Sequence, residues 1–398
     1  MEAAGRACEA GGLIAMGGSP RIVCIHQGVE LYGSDRSFLQ AVSALRESFP
    51  GAHITVVLPG EGPLNPLFAG LADRVQVRSL AILRLAEPVK TLLKGTIALP
   101  WYLLRAGIDL ARADLVYINT AVVADYMLAS RLAPRKSVIH VREIPKPKAM
   151  PVIRALCAFG NGGLIYNSGA TGQAFDRPSS QRQAVVYNGV DPIEGAQPPS
   201  VPSAFDSDRP LRLAMLGRIS DWKGQDLLID ALGLLNEGER ARIRVRIIGS
   251  VFRDDPAPIE MLKAQIGRLD LNEMIGIEGF MDDPAQAYAW ADIVAVPSKL
   301  PEPFGRVAIE AMSHGRAPVV AAHGGLVEIV EPECGWLFQP RDPQALAQCL
   351  REAIANPAMV QEKGKAALER FAHEFSSETM RTRLLDNLVR WVPALKEA

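Results

Sequence analysis

Short apolar runs alternate with segments of helical period along most of this chain. In the first half, residues 21–26, 53–58, 115–119, 137–141, 163–167 and 184–187 read as strands. Helical spacing of apolar positions separates several of them, most plainly over 37–47 and 121–132. Near-continuous apolar strands set between helices predict a parallel sheet covered on both faces. The pattern breaks at 192–210, where five prolines stand among Ser, Gly and Asp, the composition of a linker. It then resumes with strands at 211–216, 244–248, 274–277, 293–296 and 317–321. Helices are expected at 224–235, 258–269, 284–291, 306–313 and 343–355, and a last one over 377–396.

This α/β alternation, interrupted once, predicts two Rossmann-like domains facing one another across a cleft. The expected division is an N-terminal extension with little structure (1–20), a first domain (21–191), the linker (192–210), a second domain (211–376) and a terminal helical segment (377–398). A length of 398 residues is ample for two hydrophobic cores. Ligands in such sheets lie beyond the carboxyl ends of the strands, which places any site at the cleft.

Composition narrows the function. Hydrophobic residues make up 48% and charged residues 22%, as in ordinary globular enzymes. No apolar run reaches the roughly 20 residues of a membrane-spanning helix, and residues 1–20 lack the pattern of a secretory signal. The five cysteines are scattered without a C-x-x-C pair, which argues for reduced thiols in a cytoplasmic protein and against structural zinc. A net charge of −1 hides an asymmetry: residues 21–190 hold 19 Lys and Arg against 11 Asp and Glu, and residues 191–398 hold 23 against 31. A basic half suggests an anionic partner. The cations are spread out and no nucleic-acid motif accompanies them, so a membrane surface or a lipid phosphate fits better than nucleic acid. Residues 80–110 mix cations (Arg84, Lys90, Lys94, Arg105) with Leu, Ile and Trp101-Tyr102. That segment suits an interfacial membrane helix and ordinary core packing equally well.

Three groups of residues carry chemistry. Gly217-Arg218 ends a strand and Lys223-Gly224 opens a helix, which pairs a planar guanidinium with a mobile ammonium, a combination suited to a diphosphate. Glu302-Pro303-Phe304-Gly305-Arg306 leads into a helix that carries Glu310. The backbone N–H groups around Phe304, Gly305 and Arg306 would face a phosphate or sugar oxygen at that helix start. Eight residue steps at helical rise span at most about 12 Å, so Glu302 and Glu310 could grip two ends of one extended ligand. His140 ends a strand, with Arg142 on the same face. Gly33, in Tyr32-Gly33-Ser34-Asp35, opens a helix after the first strand.

With Tyr187-Asn188-Gly189-Val190-Asp191, these groups resemble the family 4 retaining glycosyltransferases of GT-B fold, over a stretch from about Arg21 to the C-terminus. Glu302 and Glu310 match that family's E-x7-E signature. The resemblance implies a terminal helix crossing back to the first domain. It also implies transfer of a hexose from a nucleotide-diphosphate sugar to an acceptor hydroxyl, with retention and without a divalent metal or other cofactor. Arg218, Lys223 and Gly33 would meet the donor diphosphate, and Glu310 the ribose. Glu302, with Phe304, Gly305 and Arg306, would meet the sugar, and His140 would stand beside the transferred sugar. The family often has two glycines where this chain has Tyr32 and Gly33. A saccharide or lipid-linked saccharide is the expected acceptor, in cell-surface polysaccharide assembly at the cytoplasmic membrane face. Two other readings stand beside this one: a nucleotide-sugar epimerase on a related fold, and a non-catalytic module that binds a nucleotide sugar. Asp206-Ser207-Asp208 imitates a D-x-D metal site but falls inside the linker, and Asp254-Asp255 and Asp282-Asp283 read as turn residues.

Overall fold

The computed structural model describes residues 19–31, 33–83, 88–176, 181–251, 255–281 and 283–396, with the backbone alone for 88–97. Tyr32, Arg84, Asp254, Asp282 and nearly all of the expected N-terminal extension lie outside the described residues, as do the side chains of Lys90 and Lys94.

The first sheet has seven strands: β1 (Arg21–Ile25), β2 (His53–Leu58), β3 (Arg74–Val77), β4 (Leu115–Ile118), β5 (Ser137–Val141), β6 (Gly163–Tyr166) and β7 (Gln183–Val185). Their order is β3-β2-β1-β4-β5-β6-β7 and every pairing is parallel. Helices α1 (Gly33–Ser48), α2 (Pro88–Arg112), α3 (Ala124–Ala129), α4 (Met150–Gly160) and α5 (Gly169–Phe175) connect them. Strands β4, β5 and β6 are buried along their whole length, as strands covered on both faces must be.

The second sheet has six strands: β8 (Leu211–Leu216), β9 (Ile243–Ile248), β10 (Ile275–Glu278), β11 (Ile293–Val296), β12 (Ala317–Ala321) and β13 (Trp336–Phe338). Its order, β10-β9-β8-β11-β12-β13, repeats the logic of the first, again all parallel. The helices here are α6 (Gln225–Gly233), α7 (Glu237–Arg240), α8 (Ala257–Arg268), α9 (Ala285–Trp290), α10 (Arg306–Ser313), α11 (Leu326–Ile329), α12 (Pro343–Ala355) and α13 (Pro357–Glu374). Residues between β7 and β8 form no helix or strand. Among the described residues no helix is long and apolar enough to cross a membrane.

A last helix, α14 (Ser377–Trp391), returns to the first sheet. Its Met380, Leu384, Leu388 and Trp391 share one core with Ile22, Phe38, Leu45 and Tyr117. Trp391 lies flat enough on β6 that a Cβ at Gly163 would stand 2.7 Å from its ring. This helix is shorter than the 377–396 expectation, because the chain turns at Val392 into a brief 3-10 turn, Pro393–Leu395.

Other boundaries moved for physical reasons. The 121–132 helix is two pieces, α3 and a 3-10 turn at Ser130–Leu132. Strand β3, absent from the sequence expectation, is a four-residue edge strand with no fully buried position, so it carries little apolar signal. Strand β13 is three residues long, too short to show a period.

Each sheet reverses its winding once, between β1 and β4 and between β8 and β11. These switch points define the crevice in which such folds bind ligands.

Leu384→Ala tests the return of α14. Leu384 is fully buried in the first core, and its truncation is expected to cost about 2–5 kcal/mol. Denaturant unfolding followed by a probe in the first domain should register the loss; an unchanged midpoint would detach α14 from that core.

Candidate active site

The site begins where the strands end. After β8 the chain turns at Gly217, places exposed Arg218 in the loop, and makes a short turn at Asp221–Lys223 before α6. The Gln225 amide donates to the Arg218 carbonyl at 3.0 Å, which holds the loop to the helix it leads into. Gly224 sits at φ 79°, and a Cβ there would stand 2.1 Å from the Pro297 carbonyl oxygen. Only glycine lets this loop lie against the end of β11, and that contact sets the position of Lys223.

After β11 comes the loop that carries Glu302. Its side chain is buried, and its Oε1 accepts from Lys223 Nζ at 2.7 Å and from Ser298 Oγ at 2.6 Å. The pairing joins the two switch-point strands β8 and β11 through their loops. Lys223 also stands over the Trp222 ring, 5.2 Å from its centre. Gly324 (φ 59°) comes so close beneath that a Cβ would lie 2.3 Å from the Glu302 carbonyl.

Helix α10 follows, with buried Phe304 before it and Gly305 (φ 122°) at its N-cap. No side chain caps it; the Ala308 N–H turns back to the Gly305 carbonyl at 2.9 Å, and the N–H groups before it can face a ligand or water. Arg306 Nε donates to Glu310 Oε1 at 2.7 Å, and Tyr288 Oη donates to Glu310 Oε2 at 2.9 Å. Burial of Tyr288, then the Glu310 charge, holds that phenol far above its ordinary range, so it stays a donor. The Arg306 Nη1 reaches across the cleft to Gln40 Oε1 (3.3 Å), Ser37 Oγ (3.5 Å) and the Gly189 carbonyl (3.5 Å). Gly33 opens α1 beside it: a Cβ there would meet Arg306 Cδ at 3.7 Å.

The first domain contributes a buried polar chain. His26 Nε2 meets Asp35 Oδ1 at 2.6 Å, and its Nδ1 faces the Asn119 amide nitrogen at 3.1 Å. Asn119 Oδ1 in turn accepts from Arg142 Nε at 2.6 Å. Because the Asn119 nitrogen can only donate, His26 Nδ1 accepts and its proton sits on Nε2, toward Asp35. Arg142 continues the chain to Asn188, Tyr117, His140 and the Ser37 carbonyl. Ser37 thus links this buried chain to Arg306 and Glu310.

The same argument sets the tautomer of His140. Arg142 donates to Tyr117 Oη (3.3 Å) and to His140 Nδ1 (3.2 Å), and Tyr117 Oη lies 2.6 Å from that nitrogen. The phenol accepts from Arg142 and donates its O–H hydrogen bond to Nδ1, so the neutral imidazole carries its hydrogen on Nε2. That Nε2 is buried and has no partner among the described residues. Burial first, and Arg142 second, hold His140 well below the ordinary histidine value of 6.5. It is a neutral donor awaiting an acceptor oxygen.

A carboxylate ties the domains together behind this site. Glu328, on α11, accepts from the backbone N–H groups of Gly169 and Ala170, both at 2.7 Å, and from Tyr187 Oη at 3.1 Å. Thr171 Oγ1 (3.0 Å) and Ser168 Oγ donate to the Pro303 carbonyl.

The structure gathers expected residues into two groups: Glu302 stands with Lys223, and Glu310 stands with Arg306 and Gly33. His140 lies apart in the wall of the first domain, and Arg218 is exposed in the β8 loop. Sequence reasoning gave no role to His26, Tyr117, Asn119, Tyr288 or Ser298; their signal is spatial, since His26 meets Asn119 only when β1 and β4 pair. Asp206 accepts from the backbone N–H groups of Asp208 and Arg209, the work of a linker turn. One surface groove of about 480 Å³ runs against β3, and another of about 290 Å³, between α1 and α14, shares Gln40 with the Arg306 contact.

Residues 202–370 match the model of the glycosyl transferases group 1 family. The second domain is a group 1 glycosyltransferase domain. The chain is 34% identical over 153 residues to a glycogen synthase of Deinococcus deserti, covering 38% of this chain and 32% of that protein. It is 32% identical over 192 residues to a D-inositol 3-phosphate glycosyltransferase of Geodermatophilus obscurus, covering 46% and 40%. The chain thus spans less than half the length of these curated relatives. Around the group 1 domain, the whole fold superposes on the Anabaena HepE structure in complex with UDP and glucose, with a TM-score of 0.74 and 25% identity over 93% of this chain and 99% of that one. The architecture is the two-domain GT-B arrangement.

The His140 environment predicts an acid-sensitive contribution to stability. A folded value below the unfolded one gives stability that is complete above about pH 6.5 and is lost as pH falls toward the folded value. His140→Gln should flatten that acid slope in a pH series of thermal unfolding; an unaltered slope would place the acid sensitivity elsewhere.

Proposed function

We propose that this protein is a retaining glycosyltransferase that moves a hexose from a nucleotide-diphosphate sugar to an acceptor hydroxyl. The observation that carries the reading is the pair of carboxylate–cation contacts at the cleft, Lys223–Glu302 and Arg306–Glu310. Each carboxylate is held by a cation and a neutral donor, Ser298 for Glu302 and Tyr288 for Glu310. An arriving diphosphate competes for Lys223, with Arg218 in the same loop, and frees Glu302 to accept from a sugar hydroxyl. Glu310 can then take the ribose hydroxyls while Tyr288 keeps it oriented. The uncapped start of α10 faces sugar or phosphate oxygens through its N–H groups.

Cations already set where charge grows on the leaving diphosphate lower the barrier to its departure. The reading requires no divalent metal for this step. The His140 Nε2–H donates to a sugar oxygen, and its low basicity makes it a poor base; the leaving phosphate is the group that takes the acceptor proton. UDP and UDP-glucose, bound by the Anabaena neighbour, are the first donors to test. The acceptor in this reading is a saccharide, favoured as a lipid-linked one at the cytoplasmic membrane face, because the first domain carries the excess of basic residues. Cell-surface polysaccharide assembly is the setting this implies.

Calorimetric titration with UDP, GDP and dTDP, with and without EDTA, tests the donor site. One nucleotide should bind regardless of EDTA. Lys223→Ala should weaken it roughly 10- to 100-fold, the weight of a charge-assisted hydrogen bond. Absence of binding to all three would remove the transferase reading, and binding without sugar transfer would leave a non-catalytic module.

A further inference from the structure

The helical layer over one face of the first sheet carries an apolar surface that is exposed among the described residues. On α2, Trp101 (53% exposed), Leu104 (54%) and Ile108 (41%) follow helical spacing and form one outward stripe. Leu132, 77% exposed, lies beside it: a Cβ at Gly107 would be 3.9 Å from its methyl. Val152 and Phe159 expose themselves from α4, which packs against α3 and the Ser130–Leu132 turn. The inner faces of α2 and α4, at Ala106, Leu110, Ile153 and Cys157, build the core beneath. Both helices are therefore apolar on two sides, whereas a helix facing water shows a polar outer face.

The charges around this surface have one sign. Arg112, Arg131, Arg135, Lys146 and Lys148 are exposed at its margins. The acidic residues of the same stretch are engaged or buried: Asp109 meets Arg78 and Tyr126, Asp114 accepts from the Arg21 N–H, and Asp125 and Glu143 are turned inward. Arg74, Arg78 and Arg105 line the open groove of about 480 Å³ at the edge strand β3. Arg105 belongs to both features, since its guanidinium stands 4.7 Å from the centre of the Trp101 ring. Guanidinium forks suit phosphate oxygens, and an arginine laid on tryptophan fits the boundary between acyl chains and headgroups.

We infer that this face docks on an anionic phospholipid bilayer, with the stripe of α2 and Leu132 at the acyl boundary and the arginine groove on lipid phosphates. The loop bearing Lys146 and Lys148 follows directly on Arg142 and Glu143, so that end of the docked face borders the cleft, while Arg112, Arg131 and Arg135 lie toward the starts of β4 and β5. The inference uses the transferase reading only for its purpose; the surface itself stands on exposure and charge. Charge complementarity favours lipid over a second copy of the chain, whose equally basic face would repel.

Flotation of the full chain with phosphatidylcholine vesicles, with and without phosphatidylglycerol, tests it. Binding is expected to the anionic vesicles alone and to fall with salt. Leu104→Glu should reduce it roughly tenfold or more, and Arg105→Glu should reduce it while keeping nucleotide affinity unchanged. Quenching by brominated acyl chains should disappear in Trp101→Phe. Equal binding to neutral and anionic vesicles, or none to either, overturns the inference. So does a wild-type dimer that Leu104→Glu renders monomeric, because the face would then be a self-interface. Nucleotide binding without vesicle binding sinks this inference alone; vesicle binding without nucleotide binding sinks the transferase reading alone.

Discussion

Glu328 is the constraint on which the cleft depends. Two backbone N–H groups at the start of a helix in one domain converge on a carboxylate from the other, with the Tyr187 hydroxyl as a third donor. Carboxylates are favoured at helix starts because the unpaired N–H groups and the dipole both point at them. The same loop region delivers the Pro303 carbonyl to Ser168 and Thr171, so Glu302, one residue earlier, is placed by contacts outside its own domain. A second crossing runs through Val190, which exchanges backbone hydrogen bonds with Phe375 and Ser377. Together they set the separation at which Arg306 can touch α1.

Within that frame, the cleft holds its own charges in pairs. Lys223 and Arg306 each have a carboxylate partner at 2.7 Å. A partly buried ion left alone would be costly, so the cations of this cleft need internal partners. In the proposed reading the pairs are exchangeable: a diphosphate would bring the charge that releases Lys223, while the neutral donors Ser298 and Tyr288 hold the carboxylates in place. Arg142 differs. It is buried, its hydrogen bonds go to amides, a phenol, an imidazole and a carbonyl, and no carboxylate accepts from its side chain among the described contacts. That pattern suits a fixed brace better than an exchangeable ligand.

Much of this was legible before any coordinates, and what was legible shares a physical cause. Strands such as 211–216 and 317–321, and helices such as 306–313, stand at their expected bounds because continuous burial or strong amphipathy marks them. The Glu302…Glu310 spacing, the Lys223-Gly224 turn and the His140–Arg142 face were readable because local geometry follows sequence distance. The ion pairs between loops of β8 and β11 were not, because 79 residues separate Lys223 from Glu302. Nor was the polar chain from Asp35 to Arg142, which exists only once β1, β4 and β5 lie side by side. The segment around Trp101 was ambiguous for a different reason. Apolar residues at helical spacing look alike whether they face a core or a bilayer, and only exposure separates the two.

That ambiguity bears on the uneven charge of the chain. In the second domain, acidic and basic residues neutralise one another locally, as in Arg209–Asp292, Arg246–Glu278 and Arg351–Glu239. In the α2–α4 stretch of the first domain the acids are drawn inward or used as hydrogen-bond acceptors, and the cations remain at its surface. Such an arrangement weakens self-association and costs some self-repulsion, so its persistence beside an exposed apolar stripe calls for an external anion. Lys146 and Lys148 follow the carboxyl end of β5, on the cleft side, whereas Arg112, Arg131 and Arg135 precede the starts of β4 and β5, at the other end of the sheet. In the proposed docking, an acceptor carried by the bilayer would enter from the Lys146–Lys148 end, where the loop after β5 leads back to Arg142 and His140, and the far cations would serve attachment alone.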